Sequence, residues 1–181
     1  MAKAIKKSKP AILEARVTYL EMSHPLGIMP PVPTKPPIAL ISAKNIPASF
    51  YAYLYQHVGK PHHWEERRDL QPEELETLIN SEKNDISVLY VEGCPAGFFE
   101  LNLYESPKSI EIKYLGLMEN YQGLGLGKWF AAAAIKAAWS HKPEVVCIET
   151  NTLDHPAALP LYQKLGFSPV GIGEAKITEW L

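Results

Sequence analysis

The chain has 181 residues, a formal net charge of −2 and 46% hydrophobic residues, which suits one domain, residues 1–181, with a substantial core. That charge gives no sign of general affinity for nucleic acid, and no apolar run approaches membrane-spanning length, so neither nucleic acid nor a membrane is expected as a partner. The N-terminus lacks the apolar stretch of a secretory signal and only two cysteines occur, so a reduced, cytoplasmic compartment without disulfides is expected.

Taken in chain order, Lys3, Lys6, Lys7 and Lys9 make a small basic terminus that reads as solvated and frayed. Residues 12–22 alternate as a first strand. Six prolines between Pro25 and Pro37 then rule out regular structure and predict an extended connection. A short strand is expected at 38–41. Residues 47–58 read as a helix with Phe50, Leu54 and Val58 on one face, and 72–79 as a second helix with Glu73 and Glu74 at its dipole-favoured end. Strands at 85–91 and 96–103 form a hairpin about Glu92-Gly93-Cys94-Pro95, and a strand at 110–118 should pair with it. Gly116 in that strand marks a bulge or a close backbone approach. A helix follows at 128–140, then an apolar, β-branched strand at 145–150. Asp154 as N-cap, Pro156 in the first turn and Gly166 just past the end bound a last helix, before a final strand region at 168–181.

The run Tyr121-Gln122-Gly123-Leu124-Gly125-Leu126-Gly127-Lys128 lies between a strand and a helix. A glycine-rich turn there converges backbone N–H groups on one point, and the helix dipole adds to them, so the turn suits a phosphate or pyrophosphate. It is not a nucleotide P-loop, because Gln122 stands where the first glycine belongs and Trp129 where a metal-binding hydroxyl belongs. Nor is it a dinucleotide fingerprint, since the third glycine would fall at Lys128 or Phe130. What remains is Q-x-x-G-x-G, from Gln122, Gly125 and Gly127.

That pattern resembles the acyl-coenzyme A loop of the GNAT N-acetyltransferase superfamily. The stretch Ala158-Leu159-Pro160-Leu161-Tyr162-Gln163-Lys164-Leu165-Gly166-Phe167 is similar to the family's A-x-x-L-Y-x-K-x-G-F ending. The resemblance is firm over residues 85–167. It implies a mixed α/β fold, a largely antiparallel sheet with one parallel strand pair splayed at the acyl-CoA cleft, flanked by about four helices. The crossover between the parallel strands is expected to be right-handed.

The resemblance further implies acetyl-CoA as co-substrate, no metal, and transfer to a small-molecule or peptide amine by direct attack in a ternary complex. Contacts to acetyl-CoA are expected from Leu117, Met118, Gln122, Gly123, Leu124, Gly125, Leu126, Gly127, Lys128, His155 and Tyr162. His155 stands where the family commonly has asparagine. Tyr162 is implied as the general acid facing the coenzyme A sulfur, a role a protonated phenol suits, although Leu161, Tyr162 and Leu165 also form a packing face. Glu111 is the candidate base, read equally well as a solvated strand-end charge, with Glu100 as second choice. His63, Trp64 and Glu65 are candidate acceptor-binding residues, in a segment that also reads as charged surface anchored by Trp64. Pro160 predicts a distorted helix start. A non-catalytic acyl-CoA-binding regulatory domain and a protein or peptide N-acetyltransferase are the alternatives, and a homodimer is left open.

Overall fold

The computed structural model describes residues 9–105 and 108–181, so Lys3, Lys6 and Lys7 lie outside the described residues. Its strands are β1 (Ile12–Met22), β2 (Ile38–Ala43), β3 (Asn84–Val91), β4 (Cys94–Glu105), β5 (Lys108–Leu117), β6 (Val145–Asn151) and β7 (Ser168–Thr178). The helices are α1 (Ala48–Gly59), α2 (Pro72–Ile79), α3 (Leu126–Ser140) and α4 (Ala158–Lys164). The strands form one sheet in the order β2-β3-β4-β5-β6-β1-β7. All neighbours are antiparallel except β5 and β6, which run parallel around α3.

Local chemistry accounts for most element boundaries. Pro72 opens α2 where no N–H is needed, and Gln71 and Glu74 cap each other's backbone. The β3–β4 hairpin turns on two residues, Glu92 and Gly93, at φ 51° and 83°. Two consecutive positive φ values define the tight hairpin turn that matches strand twist. The four-residue turn expected from sequence is therefore too long. Cys94 and Pro95 belong to β4, with Pro95 opposite Tyr90 at a register shift that spares it a ladder bond.

The bulge in β5 is at Lys113, not at Gly116. Glu100 pairs with Tyr114 and Leu101 with Ile112, leaving Lys113 as the extra residue. Gly116 pairs in register with Phe98, and a Cβ there would collide with Cγ1 of Val58. This glycine serves the close approach of α1 to the sheet. Gly59 serves a similar end, because a side chain there would occupy the seat of the Trp64 indole.

The helices cover both sheet faces. One core layer joins α3 and α4 to Leu20, Leu101, Ile110, Ile112, Val146 and Ile148. The other joins α1 and α2 to Ile86, Val88, Phe98 and Tyr114. On α1 the buried stripe is Tyr51, Leu54, Tyr55 and Val58, one position round from the stripe expected through Phe50. β1 sits far from β2 despite their closeness in sequence. Five strand spacings of about 4.8 Å separate them, roughly 24 Å, and the proline-rich connection crosses the α3 side with Leu26 and Met29 packed against that core.

The start of α4 differs from expectation. Asp154 accepts hydrogen bonds from Thr150 Oγ1 at 2.8 Å and Asn151 N–H at 2.9 Å, closing the turn after β6 rather than capping the helix. The N-cap position is Ala157. Pro160 therefore falls in the first turn of α4, where its missing N–H has no intrahelical partner to lose.

Candidate active site

The site exists because two parallel strands stop pairing partway along. β5 and β6 are in register from Ser109 opposite Val145 to Ile112 opposite Ile148. Beyond that point Tyr114–Leu117 pair only with β4, and Glu149–Asn151 pair with β1. The Lys113 bulge lies at the point of parting. Backbone groups on the cleft side of β5 are left open to a ligand, which in a continuous sheet they would not be. A cavity of about 420 Å³ fills the gap and reaches both faces of the sheet.

On the α3 side the cavity is lined by Gln122, Gly123, Gly127, Phe130, Ala158 and Tyr162, among others. Gly123 and Gly125 both have φ 75°, and α3 begins after Gly125 with no side-chain cap on its N–H groups. A Cβ added at Gly123, Gly125 or Gly127 would meet nothing within 4 Å. Open space before uncapped N–H groups at the positive end of a helix is what a pyrophosphate requires. Gln122 holds the loop in place by donating its amide to the Leu117 carbonyl at 3.1 Å.

Tyr162 is buried, and its ring packs edge-on against Phe167 at 6.2 Å. Burial raises its pKa above that of a free phenol, and the Asp154 charge adds to the effect. Its hydroxyl keeps its proton throughout the physiological range. His155 lines the same wall; its Nδ1 accepts the Ala157 N–H at 3.1 Å, so the neutral ring carries its proton on Nε2.

On the opposite face the cavity is walled by Trp64, Tyr114, Val17 and Ile177 around Glu66, Lys113 and Glu149. Lys113 Nζ contacts Glu66 at 2.9 Å and Glu111 at 3.7 Å. Tyr114 donates its hydroxyl to the other Glu66 oxygen at 3.0 Å. Burial would raise the Glu66 pKa, but the Lys113 and Tyr114 bonds and the Arg67 charge hold it below the usual range. Glu149 differs. It is the first β6 residue beyond the parallel pairing, and strand alternation puts it on the face of Cys147, the partner of Glu111. Partial desolvation pushes its carboxyl up, opposed by Lys113 and reinforced by the charges of Glu111, Glu66 and Asp154.

The residues expected from sequence are thus distributed unevenly. Leu117, Gln122, Gly123, Gly127, His155, Tyr162, His63, Trp64 and Glu65 line the cavity. Met118 and Leu126 are buried in the two cores, and Leu124 and Lys128 point outward, so only their backbones are near the loop. Glu111 is not on the cavity wall. It accepts from Tyr104 at 2.7 Å and Asn102 at 3.3 Å and neighbours Lys113. Glu100 is fully buried behind the wall, bonded by Tyr51 and by Arg67 at 3.1 Å. Glu66 lies in the 61–68 segment read as a candidate acceptor wall, without being singled out, and Glu149 was missed. For Glu149 a signal existed, a lone charge in the apolar run 145–150, beyond the reach of any local motif.

The structure also binds the 60–68 segment on both flanks. His62 Nδ1 donates to the Leu153 carbonyl at 3.1 Å. On the other flank Glu65 accepts the Thr178 N–H at 2.9 Å and His63 Nδ1 accepts the Trp180 N–H at 3.0 Å. Among the described residues no cluster of His, Cys, Asp or Glu is arranged to hold a metal, and no helix is long and apolar enough to cross a membrane.

A mixed sheet that parts beyond its one parallel strand pair is the fold of an acetyltransferase-type domain. The chain belongs to the Acetyltransferase (GNAT) family, whose model matches residues 50–167. No curated protein matches its sequence significantly. Solved structures share its fold at low identity. A functionally unknown conserved protein from Staphylococcus epidermidis is 14% identical with a TM-score of 0.64, over 94% of this chain and 64% of that one. A tandem GNAT protein from the clavulanic acid biosynthesis pathway is 17% identical with a TM-score of 0.62, over 94% and 54%. An aminoglycoside acetyltransferase from an uncultured soil metagenomic sample, solved with trehalose, is 17% identical with a TM-score of 0.60, over 71% and 87%. The chain thus spans less than two thirds of the first two of these proteins.

Proposed function

We propose that the chain is an acetyl-CoA-dependent N-acetyltransferase acting on a primary amine by direct attack in a ternary complex. The observation that carries this reading is the parting of β5 and β6 beyond Ile112 and Ile148, with Tyr162 and the glycine loop on one side of the cavity and Glu149 on the other. Bound acetyl-CoA supplies a thioester acyl group. In this reading the N–H groups of residues 122–127 hold the pyrophosphate, and the open edge of β5 orients the acyl carbonyl and supplies donors to the charge developing on its oxygen.

An aliphatic ammonium has an ordinary pKa of about 10.4 and must lose a proton before it can attack. Glu149, with its raised pKa and its position on the cavity wall, takes that proton. Glu111, bonded to Tyr104 and Asn102, holds Lys113 beside it. Tyr162 donates its proton to the departing thiolate. Trp64, Tyr114 and Val17 form the apolar walls that exclude water from the acceptor.

The test is a thiol-release assay with acetyl-CoA against panels of alkylamines, amino acids, aminoglycosides and peptides. Turnover with at least one amine, and N-acetylated product by mass spectrometry, is the expected result. Tight coenzyme A binding without turnover on any panel would identify a regulatory acyl-CoA-binding domain instead.

A further inference from the structure

The outer wall of the acceptor chamber is made by two segments far apart in sequence. The 60–68 segment crosses the chamber, and residues 178–181 fasten it from outside. Besides the Thr178–Glu65 and Trp180–His63 bonds, Arg68 Nη1 donates to the Thr178 carbonyl at 2.9 Å and Lys60 Nζ to the Leu181 carbonyl at 2.9 Å. The Arg68 guanidinium lies 5.9 Å from the Trp180 ring centroid. Trp180 in turn packs 6.0 Å from Tyr55, which lines the chamber.

Behind this wall is a second, shallow pocket formed by Gln56, His57, Lys60, Pro61, His63 and Trp180. His63 borders both spaces. It is held between them because the backbone N–H of Trp180 donates to its Nδ1. We infer that Trp180 and His63 form the partition between the acceptor chamber and this outer pocket, and so set how large an amine the chamber admits. The inference rests on the acetyltransferase reading above. Neither residue touches the reacting atoms; Trp180 acts through the 60–68 segment and is a positioning residue.

The chemistry that follows is selection by size. With the partition in place, the chamber is bounded by Trp64, Tyr55, Val17 and Ile177, and suits an amine on a compact apolar or aromatic stem. With it removed, the two spaces merge, and a longer or branched stem can extend toward Lys60 and His57.

Two readouts test this on the full chain. The first is the acceptor profile over a graded series of alkyl- and arylalkylamines for wild type, Trp180→Ala, His63→Ala and Trp180→Phe. Trp180→Ala and His63→Ala should raise KM for the smallest accepted amines, by on the order of tenfold, with a smaller change in kcat. They should improve bulky amines relative to small ones, and Trp180→Phe should restore most of the wild-type order. The second readout is amide hydrogen exchange over residues 60–68 and 178–181, which needs no turnover. Trp180→Ala should lose protection in both segments and keep it in β4 and β5. An unchanged size order in folded Trp180→Ala overturns the inference, as does wild-type protection of 60–68. If the wild type acetylates no amine at all, the acetyltransferase reading fails, and the exchange result alone decides whether Trp180 holds the partition.

Discussion

Arg67 and Glu100 form an ion pair at 3.1 Å in which the carboxylate is fully buried and the guanidinium side chain is only 10% exposed. The pair joins the 60–68 segment to the centre of β4, and Tyr51 of α1 donates to the second carboxylate oxygen. Each carboxylate oxygen of Glu100 thereby has a hydrogen-bond partner. Its position among apolar neighbours reflects an internal anchor for the segment that walls the cavity.

Arg67→Ala leaves that carboxylate buried and without its counter-charge. Removing one partner of such a pair costs about 3–5 kcal/mol, much more than an exposed pair is worth. Chemical denaturation should show a loss of that order. A double variant, Arg67→Met with Glu100→Leu, should recover part of it. If the two single losses simply add in the double variant, the pair is not coupled as described.

Gly125→Val places a β-branched residue at φ 75°, a conformation it strongly disfavours. Nothing crowds the site, so the core should remain intact while the loop rearranges. Coenzyme A affinity should fall by at least about tenfold, or 1.4 kcal/mol. Calorimetry on a variant with wild-type circular dichroism checks this. Unchanged affinity would exclude the loop as the pyrophosphate site.

Tyr162→Phe keeps the ring against Phe167 and removes only the hydroxyl. Acetyl-CoA affinity should change little, and turnover should fall roughly 10²-fold, the scale expected for a positioned acid. Pre-steady-state measurement is needed to establish that chemistry limits the rate. A wild-type turnover number under that condition would reduce Tyr162 to packing.

The pH profile separates Glu149 from Glu111. A base must be ionised to work, so activity should rise with pH as Glu149 loses its proton. Because its pKa is raised, that limb should lie above the ordinary carboxylate range. Glu149→Gln should abolish the limb and lower kcat/KM most near neutrality, with the deficit shrinking at high pH as free amine accumulates. Lys113→Met removes a nearby charge that favours the ionised form, leaving Glu66, Glu111, Asp154 and the cross-strand Tyr19 around it. Its limb should move to higher pH. If Glu111→Gln abolishes the limb and Glu149→Gln keeps it, the assignments are reversed.

Much of the fold was legible in local sequence because the physics involved is local. A glycine loop between a strand and a helix, Pro72 at the first position of α2, and Glu92-Gly93 between two strand-like runs each act within a few residues. Gly116 was expected to mark a bulge or a close approach, and only the close approach is found. What approaches it is Val58, a residue on a helix 58 positions earlier, so the bulge had to be found at Lys113 from the register of β4 against β5.

The glycine loop and Tyr162, to which the proposed function gives the acetyl-CoA roles, could be singled out from the chain alone, since each sits within one continuous motif. Tertiary structure decided the opposite wall of the cavity. Only the register of β5 against β6 reveals that pairing ends at Ile112 and Ile148, and hence that Glu149 faces the cleft while Glu111 does not line it. Only the sheet order reveals that β1 enters between β6 and β7, bringing Val17 to the chamber. Only the folded contacts bring Trp180 to His63, 117 residues away in sequence. The reason is that a backbone turn is governed by torsional preferences each residue carries with it. A wall assembled from five separate segments exists only once long-range burial has put them side by side.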